Sequence, residues 1–162
     1  MTVLFKNLIE LSTNELAIYS VILGSKSITE FEEFVAKKFP SHVSEMNELD
    51  AFFNRLYLRK QIHDRWFKPE GAARAVPYVN EGIKEKNKND LGLRLYCKPL
   101  KNNTLILFNG DIKTHNDPMQ CKNVDNHFNR AVKISRLLDK AISDGFIDMN
   151  DKNPFSEYEF DI

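Results

Sequence analysis

Four side chains have types and spacing that suit chemistry: Arg94, Tyr96, Lys113 and His115. Arg94 and Tyr96 alternate with Leu93, Leu95 and Cys97, a period of two that places them together on the polar face of a strand. Lys113 and His115 follow on a later segment, again two residues apart. Cations suit the charge of a phosphate. A histidine whose ordinary pKa is near ~6.5 suits giving or taking a proton at neutral pH. Tyr96 offers a hydroxyl that can position a base or another hydroxyl. Each also has a plainer reading, as an exposed histidine at a strand end and a packing tyrosine on a half-buried strand.

The elements that must position them lie in Leu91 to His115, LGLRLYCKPLKNNTLILFNGDIKTH. Its first half is the alternating strand. Lys101-Asn102-Asn103 supplies turn chemistry, because asparagine tolerates positive φ, and Thr104 to Phe108 is a near-continuous apolar run suited to a central strand. A hairpin is predicted. Asn109-Gly110-Asp111 reads as a second break, with Ile112 to His115 as a third short segment. The solvent face of this hairpin is the surface best placed for chemistry.

Charge strengthens that choice. The net charge is zero, but residues 55–101 hold twelve Lys/Arg against five Asp/Glu, whereas residues 1–54 hold four against eight and residues 102–162 seven against ten. A basic middle suggests an anionic partner such as nucleic acid, with Arg65, Arg74, Lys98 and Lys101 as candidate contacts. The alternative is a solvated lysine-rich surface. The 162 residues suit one domain, and 42% hydrophobic with 28% charged residues is a soluble globular composition. The richest apolar run, Leu16 to Leu23, is too short to span a bilayer, and the start lacks signal-peptide features, so a cytoplasmic protein without membrane contact is expected. Cys97 and Cys121 fit no metal spacing and read as buried thiols. P-loop, GxGxxG, HExxH, GxSxG and CxxC signatures are absent, and no feature specifies a metal or a cofactor.

Around the hairpin, Val3, Leu4, Leu8 and Leu11 have spacings of a short helix; Ile18 to Ile22 is β-prone and stopped by Gly24-Ser25, which favours a strand over the helix from Glu15 to Leu23 that a Ser12–Glu15 capping box would open. Ser27 with Glu30 reads as a capping box opening a helix over about 28–39, and Met46, Leu49, Phe52, Phe53, Leu56 and Tyr57 give a second helix ending near Ile62. The short link predicts an antiparallel helical hairpin. Between His63 and Asp90 periodicity fails: Arg65 to Lys68 reads as a short strand, Pro69-Glu70-Gly71 as a turn and Lys84 to Asp90 as a solvated loop. His63, Arg65 and Arg74 are candidates to line a site there. A last helix runs from a cap at Asn123 or Asp125 to Gly145, and the acidic remainder, 146–162, reads as a flexible or loosely docked tail whose aromatics could cover part of the basic surface. The fold class expected is α+β, a small antiparallel or mixed sheet packed by an N-terminal helical hairpin and a C-terminal helix. Residues 1–145 form its single domain, including a short N-terminal extension.

The order of these elements, with Leu93-Arg94-Leu95-Tyr96, Leu105 to Phe108, Ile112-Lys113-Thr114, Pro118 and a helix containing Ala131, resembles the RelE/ParE/HigB superfamily of bacterial toxins. The likeness spans roughly residues 15–145 as topology and 91–131 as motif. It implies the toxin of a type II toxin–antitoxin system, a metal-independent, ribosome-dependent mRNA endonuclease with ribosome, mRNA and a cognate antitoxin as partners. The alternatives are a non-enzymatic toxin that inhibits a host protein such as DNA gyrase, and a degenerate, phage-derived binding module. Arg94 matches the family's strand arginine and Lys113 its lysine after the next strand, both suited to stabilising a phosphorane. The family's second lysine is Thr114 here, followed by His115, and its C-terminal catalytic Tyr or His has no clear counterpart.

Overall fold

The alternation in Leu93 to Leu100 builds a strand because apolar and polar residues take opposite sides of the pleat. In the computed structural model, which describes residues 1–76 and 91–162, this strand is β5, Gly92–Leu100, and it turns back into β6, Thr104–Lys113. Asn102 and Asn103 both hold positive φ, 59° and 50°, which closes the three-residue turn between the paired Leu100 and Thr104. The expected break at Asn109-Gly110-Asp111 is not there. β6 runs through it, and the irregularity is a bulge that shifts the register between Leu95/Gly110 and Cys97/Leu107. Gly110 makes that approach possible: a Cβ on it would lie 1.8 Å from the Arg94 carbonyl oxygen.

Five more strands among the described residues complete one mixed sheet: β1 (Thr2–Asn7), β2 (Ala17–Leu23), β3 (Lys68–Glu70), β4 (Ala73–Val76) and β7 (Glu159–Asp161), in the order β3-β4-β5-β6-β2-β1-β7. The sheet is larger than expected. Val3 to Leu11 forms no helix. Thr2–Asn7 instead pairs antiparallel with β2, with Val3 opposite Leu23, so Val3 and Leu4 are used in a strand flanked by β2 and β7. β2 and β6 are parallel, from Ala17 opposite Thr104 to Ser20 opposite Leu107. The other pairings among the described residues are antiparallel.

Helix α1, Glu30–Ala36, starts two residues later than the sequence suggests, because Thr29 rather than Ser27 is its cap. The Thr29 hydroxyl accepts from the Glu32 amide at 3.1 Å and the Glu32 carboxylate accepts from the Thr29 amide at 2.6 Å, a reciprocal capping box. The bond from the Thr29 amide, and then the Thr29 side chain, hold the Glu32 carboxyl below its usual range. α1 docks where β2 and β6 part: Ser20 Oγ donates to the Leu107 carbonyl at 2.8 Å and accepts from the Phe31 amide at 3.1 Å. Helix α2, Val43–Arg59, follows a 3-10 turn at Pro40–His42. The two helices meet through Phe31 and Phe53, but each packs on the sheet, α1 mainly on β6 and β2 and α2 on β5. Arg65 to Lys68, expected as a strand, is divided between a 3-10 turn at Asp64–Trp66 and the start of β3. The loop expected over Lys84 to Asp90 lies outside the described residues.

Helix α3, Asp125–Ser143, covers the other face and ends before Gly145 at φ 80°, as its apolar stripe predicts. One core, with Phe34, Leu49, Phe52, Leu56, Leu93, Leu95 and Cys97, lies under α1 and α2. The second, with Val3, Tyr19, Tyr96, Phe108, Val132, Ile134 and Leu138, lies under α3. The acidic end of the chain belongs to this second core. Ile147, Met149 and Phe155 are buried, Phe155 stacks on Phe5 at 4.7 Å between ring centroids, and β7 pairs with β1. Both cysteines are buried free thiols. No helix among the described residues is long and apolar enough to cross a membrane.

Candidate functional site

Arg94 and Tyr96 share the face of β5 that α3 covers. Tyr96 packs edge-on against Phe128 of α3, with ring centroids 5.9 Å apart. Gly92 opposes Lys113 and Arg94 opposes Asp111, so beyond the bulge Lys113 takes the same face as Arg94, one pleat away. The two cations singled out from the sequence are therefore neighbours. They are not on an open surface. Arg94 is 6% and Lys113 1% exposed. This corrects the expected solvent face: a period-two strand reports which residues share a side, and here both sides are covered.

Two residues outside the candidates complete the cluster, Lys68 at the end of the expected short strand and Glu70 in the expected turn. Lys68 and Glu70 of β3 face the same side as Ala73 and Ala75, their partners on β4. Crossing from β3 to β6 spans three ladder spacings, about 14 Å. The two alanines present only methyl groups, which leaves a trough over which long side chains can meet. Glu70 Oε1 lies 3.5 Å from Lys113 Nζ and 3.7 Å from Lys68 Nζ. The only advance signal was the spacing of Lys68 and Glu70 around Pro69, and it is as easily read as a turn.

Burial sets the electrostatics. The Lys68 ammonium is pushed down to about 8, first by desolvation and then by Lys113, against the pull of Glu70. Burial also lowers the Arg94 guanidinium, which Glu70 and Glu45 partly offset, while Arg94 Nη1 donates to the Leu93 carbonyl at 2.7 Å. The Tyr96 phenol is raised, by burial first and then by Glu70. Its hydroxyl is fully buried and has no hydrogen-bond partner among the described residues. Chemically, the cluster is a largely buried set of cations held against a carboxylate, with the Lys68 ammonium lowered toward neutral pH.

The remaining candidates do not join it. His115 lies exposed beyond β6, its Nδ1 accepting from the Asp117 amide at 3.0 Å, so it shapes a local turn. Lys98 shares the face but donates to Asp139 of α3 at 2.8 Å and to the Ala72 carbonyl at 3.0 Å. Arg74 opposes Cys97 and lies on the other face, 3.4 Å from Asp64. Arg65, His63 and Lys101 are exposed.

A second polar junction ties α1 to β6 and α3. Lys37 Nζ donates to the Gly110 carbonyl at 2.6 Å, to Asp111 at 3.1 Å and to Asn109 at 3.3 Å, and lies 3.3 Å from His127 Nε2. An ammonium beside Nε2 favours the neutral imidazole with its proton on Nδ1. Burial, then Lys37, holds His127 below its ordinary pKa. Nearby, the buried carboxylate of Glu30 is met by Lys26 at 3.2 Å and by Arg130 of α3 at 3.3 Å. No group of side chains suited to a metal ion occurs among the described residues.

Comparison of the chain with protein-family models, with curated proteins and with solved structures finds no match.

Proposed function

We propose that this chain is the toxin of a type II toxin–antitoxin pair, restrained by a cognate antitoxin, and that it acts by binding its target. The toxin reading rests on the RelE/ParE/HigB-like motif over residues 91–131 and on the element order. A strand, two helices, an antiparallel sheet and a last helix appear here as β2, α1, α2, β4 to β6 and α3. The observation that carries the binding mode is the burial of Lys113 and Arg94 with Glu70 against Lys113. A phosphate reaching Lys113 must displace a carboxylate from a desolvated pair, and breaking such a pair costs about 3–5 kcal/mol.

A second reading, the ribosome-dependent mRNA endonuclease, is favoured by a different observation. Arg94, Tyr96 and Lys113 share one face of adjacent strands, as in-line attack on a phosphodiester requires of its stabilising groups. Controlled expression in bacteria, with mapping of mRNA ends, separates the two. Binding predicts growth arrest without translation-phased cleavage, retained in a folded Lys113→Met variant. Phased cleavage that disappears in that variant transfers the function to the endonuclease reading. Growth unaffected by wild-type chain removes both.

A further inference from the structure

The strongest unassigned surface lies at the C-terminal end of α2 and in the 3-10 turn after it. Residues 55–66 carry Arg55, Arg59, Lys60 and Arg65 against a single acid, Asp64, and that acid is engaged by Arg74. Arg55 and Arg59 are four residues apart on α2 and so lie on one stripe. Both are exposed, as are Lys60, His63 and Arg65. Among the described residues no carboxylate pairs with Arg55, Arg59 or Arg65, whereas Lys60 meets Glu15 at 3.7 Å with both side chains about half exposed. The helix dipole accounts for cations in the last turn of α2, at Arg59 and Lys60. It does not account for Arg55, one turn back, or for Arg65, beyond the helix.

Aromatic rings lie within this basic ridge. The Arg59 guanidinium sits 5.8 Å from the Trp66 ring centroid, and the exposed His63 ring meets Trp66 edge-on at 4.5 Å. A shallow trough, lined by Ile62, Asp64, Pro99, Lys101 and Asp139, leads from this ridge to the β5–β6 turn. The Asn103 side chain joins the two banks by accepting from the Ile62 amide at 3.2 Å. A row of cations with interleaved planar rings is the chemistry that tracks a phosphate backbone while stacking its bases, and open bases are available only in single strands.

We propose that the ridge formed by Arg55, Arg59, His63, Arg65 and Trp66, continued by Lys101 across the trough, binds single-stranded nucleic acid. The surface lies away from the buried Arg94 and Lys113, and the proposal stands independently of the toxin reading. Charge complementarity selects a polyanion, and the rings select bases over the carboxylates of an acidic peptide.

Trp66 is the sole tryptophan, so its emission reports on this one place. The purified full chain is titrated with oligouridylate and oligothymidylate 12-mers, with the same sequence in duplex form, and with polyglutamate, recording Trp66 emission and anisotropy of labelled probes. Saturable binding of a single strand with a change in Trp66 emission is expected. Neutralising three to five phosphates gives a salt slope of about −2 to −3.5, a loss of roughly 20- to 130-fold between 50 and 200 mM salt. Arg59→Glu with Arg65→Glu, both at exposed sites, is expected to weaken binding at least tenfold, while Lys133→Glu on the exposed side of α3 leaves it within about twofold. Equal or tighter binding of polyglutamate, single-strand binding without a Trp66 signal, or equal loss in the Lys133 variant overturns the proposal, as does the absence of binding. A preference between the RNA and DNA strands identifies which backbone the ridge takes.

Discussion

Gly110→Ala tests the packing on which the candidate site depends. Gly110 opposes Leu95 just beyond the β6 bulge, and a Cβ there would stand 1.8 Å from the Arg94 carbonyl oxygen, 2.8 Å from its carbon and 3.0 Å from the Leu95 Cα. All three obstacles are main chain in the middle of the sheet, so no side chain can swing aside. Ordinary contact requires about 3.4 Å or more. The ladder must therefore open by roughly 1.5 Å at the position carrying Arg94, and the burial of Arg94 and Lys113 depends on that position. Overpacking costs typically about 1–3 kcal/mol, and a main-chain clash belongs at or above the upper end. With a urea dependence of about 2 kcal/mol per molar, a cost of about 3 kcal/mol lowers the unfolding midpoint by about 1.5 M. The assay is equilibrium urea unfolding followed by circular dichroism. A midpoint within about 0.4 M of wild type would show that β5 and β6 do not approach as described, and the burial assigned to the cluster would fall with it.

Three further outcomes are expected. Phe155→Ala, which removes a buried ring stacked on Phe5 and edge-on to Tyr19 at 4.9 Å, is expected to cost about 3–5 kcal/mol in the same assay; a loss below about 1 kcal/mol refutes the integration of the acidic end into the core. Thr29→Ala removes one half of the α1 capping box and is expected to cost about 1 kcal/mol. Because the folded Glu32 carboxyl lies below its unfolded value, its share of stability is present above the unfolded pKa and fades as pH falls through the folded one, so the wild-type advantage over a Glu32→Gln variant, which cannot titrate, shrinks on acidification. His127 is likewise held below its ordinary pKa, so the unfolded chain binds its proton first and stability falls as pH drops below about 6.5. His127→Gln is expected to flatten stability between pH 7 and 5, and an unchanged slope contradicts the burial of His127 beside Lys37.

Local pattern carried the middle of the chain well. Leu93, Leu95 and Cys97 marked one face of β5, Asn102 and Asn103 marked the hairpin turn, and the stripe of α3 with Gly145 marked the last helix, because each depends on neighbours a few residues away. Elements held by distant partners were not legible. Val3 and Leu4 have helical spacing, and only β2 on one side and the last residues on the other make that segment a strand. The same limit governs the candidate site. The sequence put Arg94 and Lys113 near each other, but their burial depends on α3 above the sheet and on Glu70 reaching across Ala73 and Ala75, 43 residues before Lys113. Gly110 shows the limit most plainly: it looked like punctuation, and it is where two strands come too close for any side chain.

The parallel junction between β2 and β6 has a consequence for how the chain emerges during synthesis. Residues 17–23 are made early, yet the strand they lie beside begins at residue 104, and the outer neighbour of β1 arrives only at residue 159. Until then the β1–β2 ribbon has bare edges and an uncovered apolar side, the condition under which nascent strands recruit wrong neighbours. A cell making this protein must shelter that ribbon for most of its translation, and slowing elongation before residue 104 prolongs the exposure.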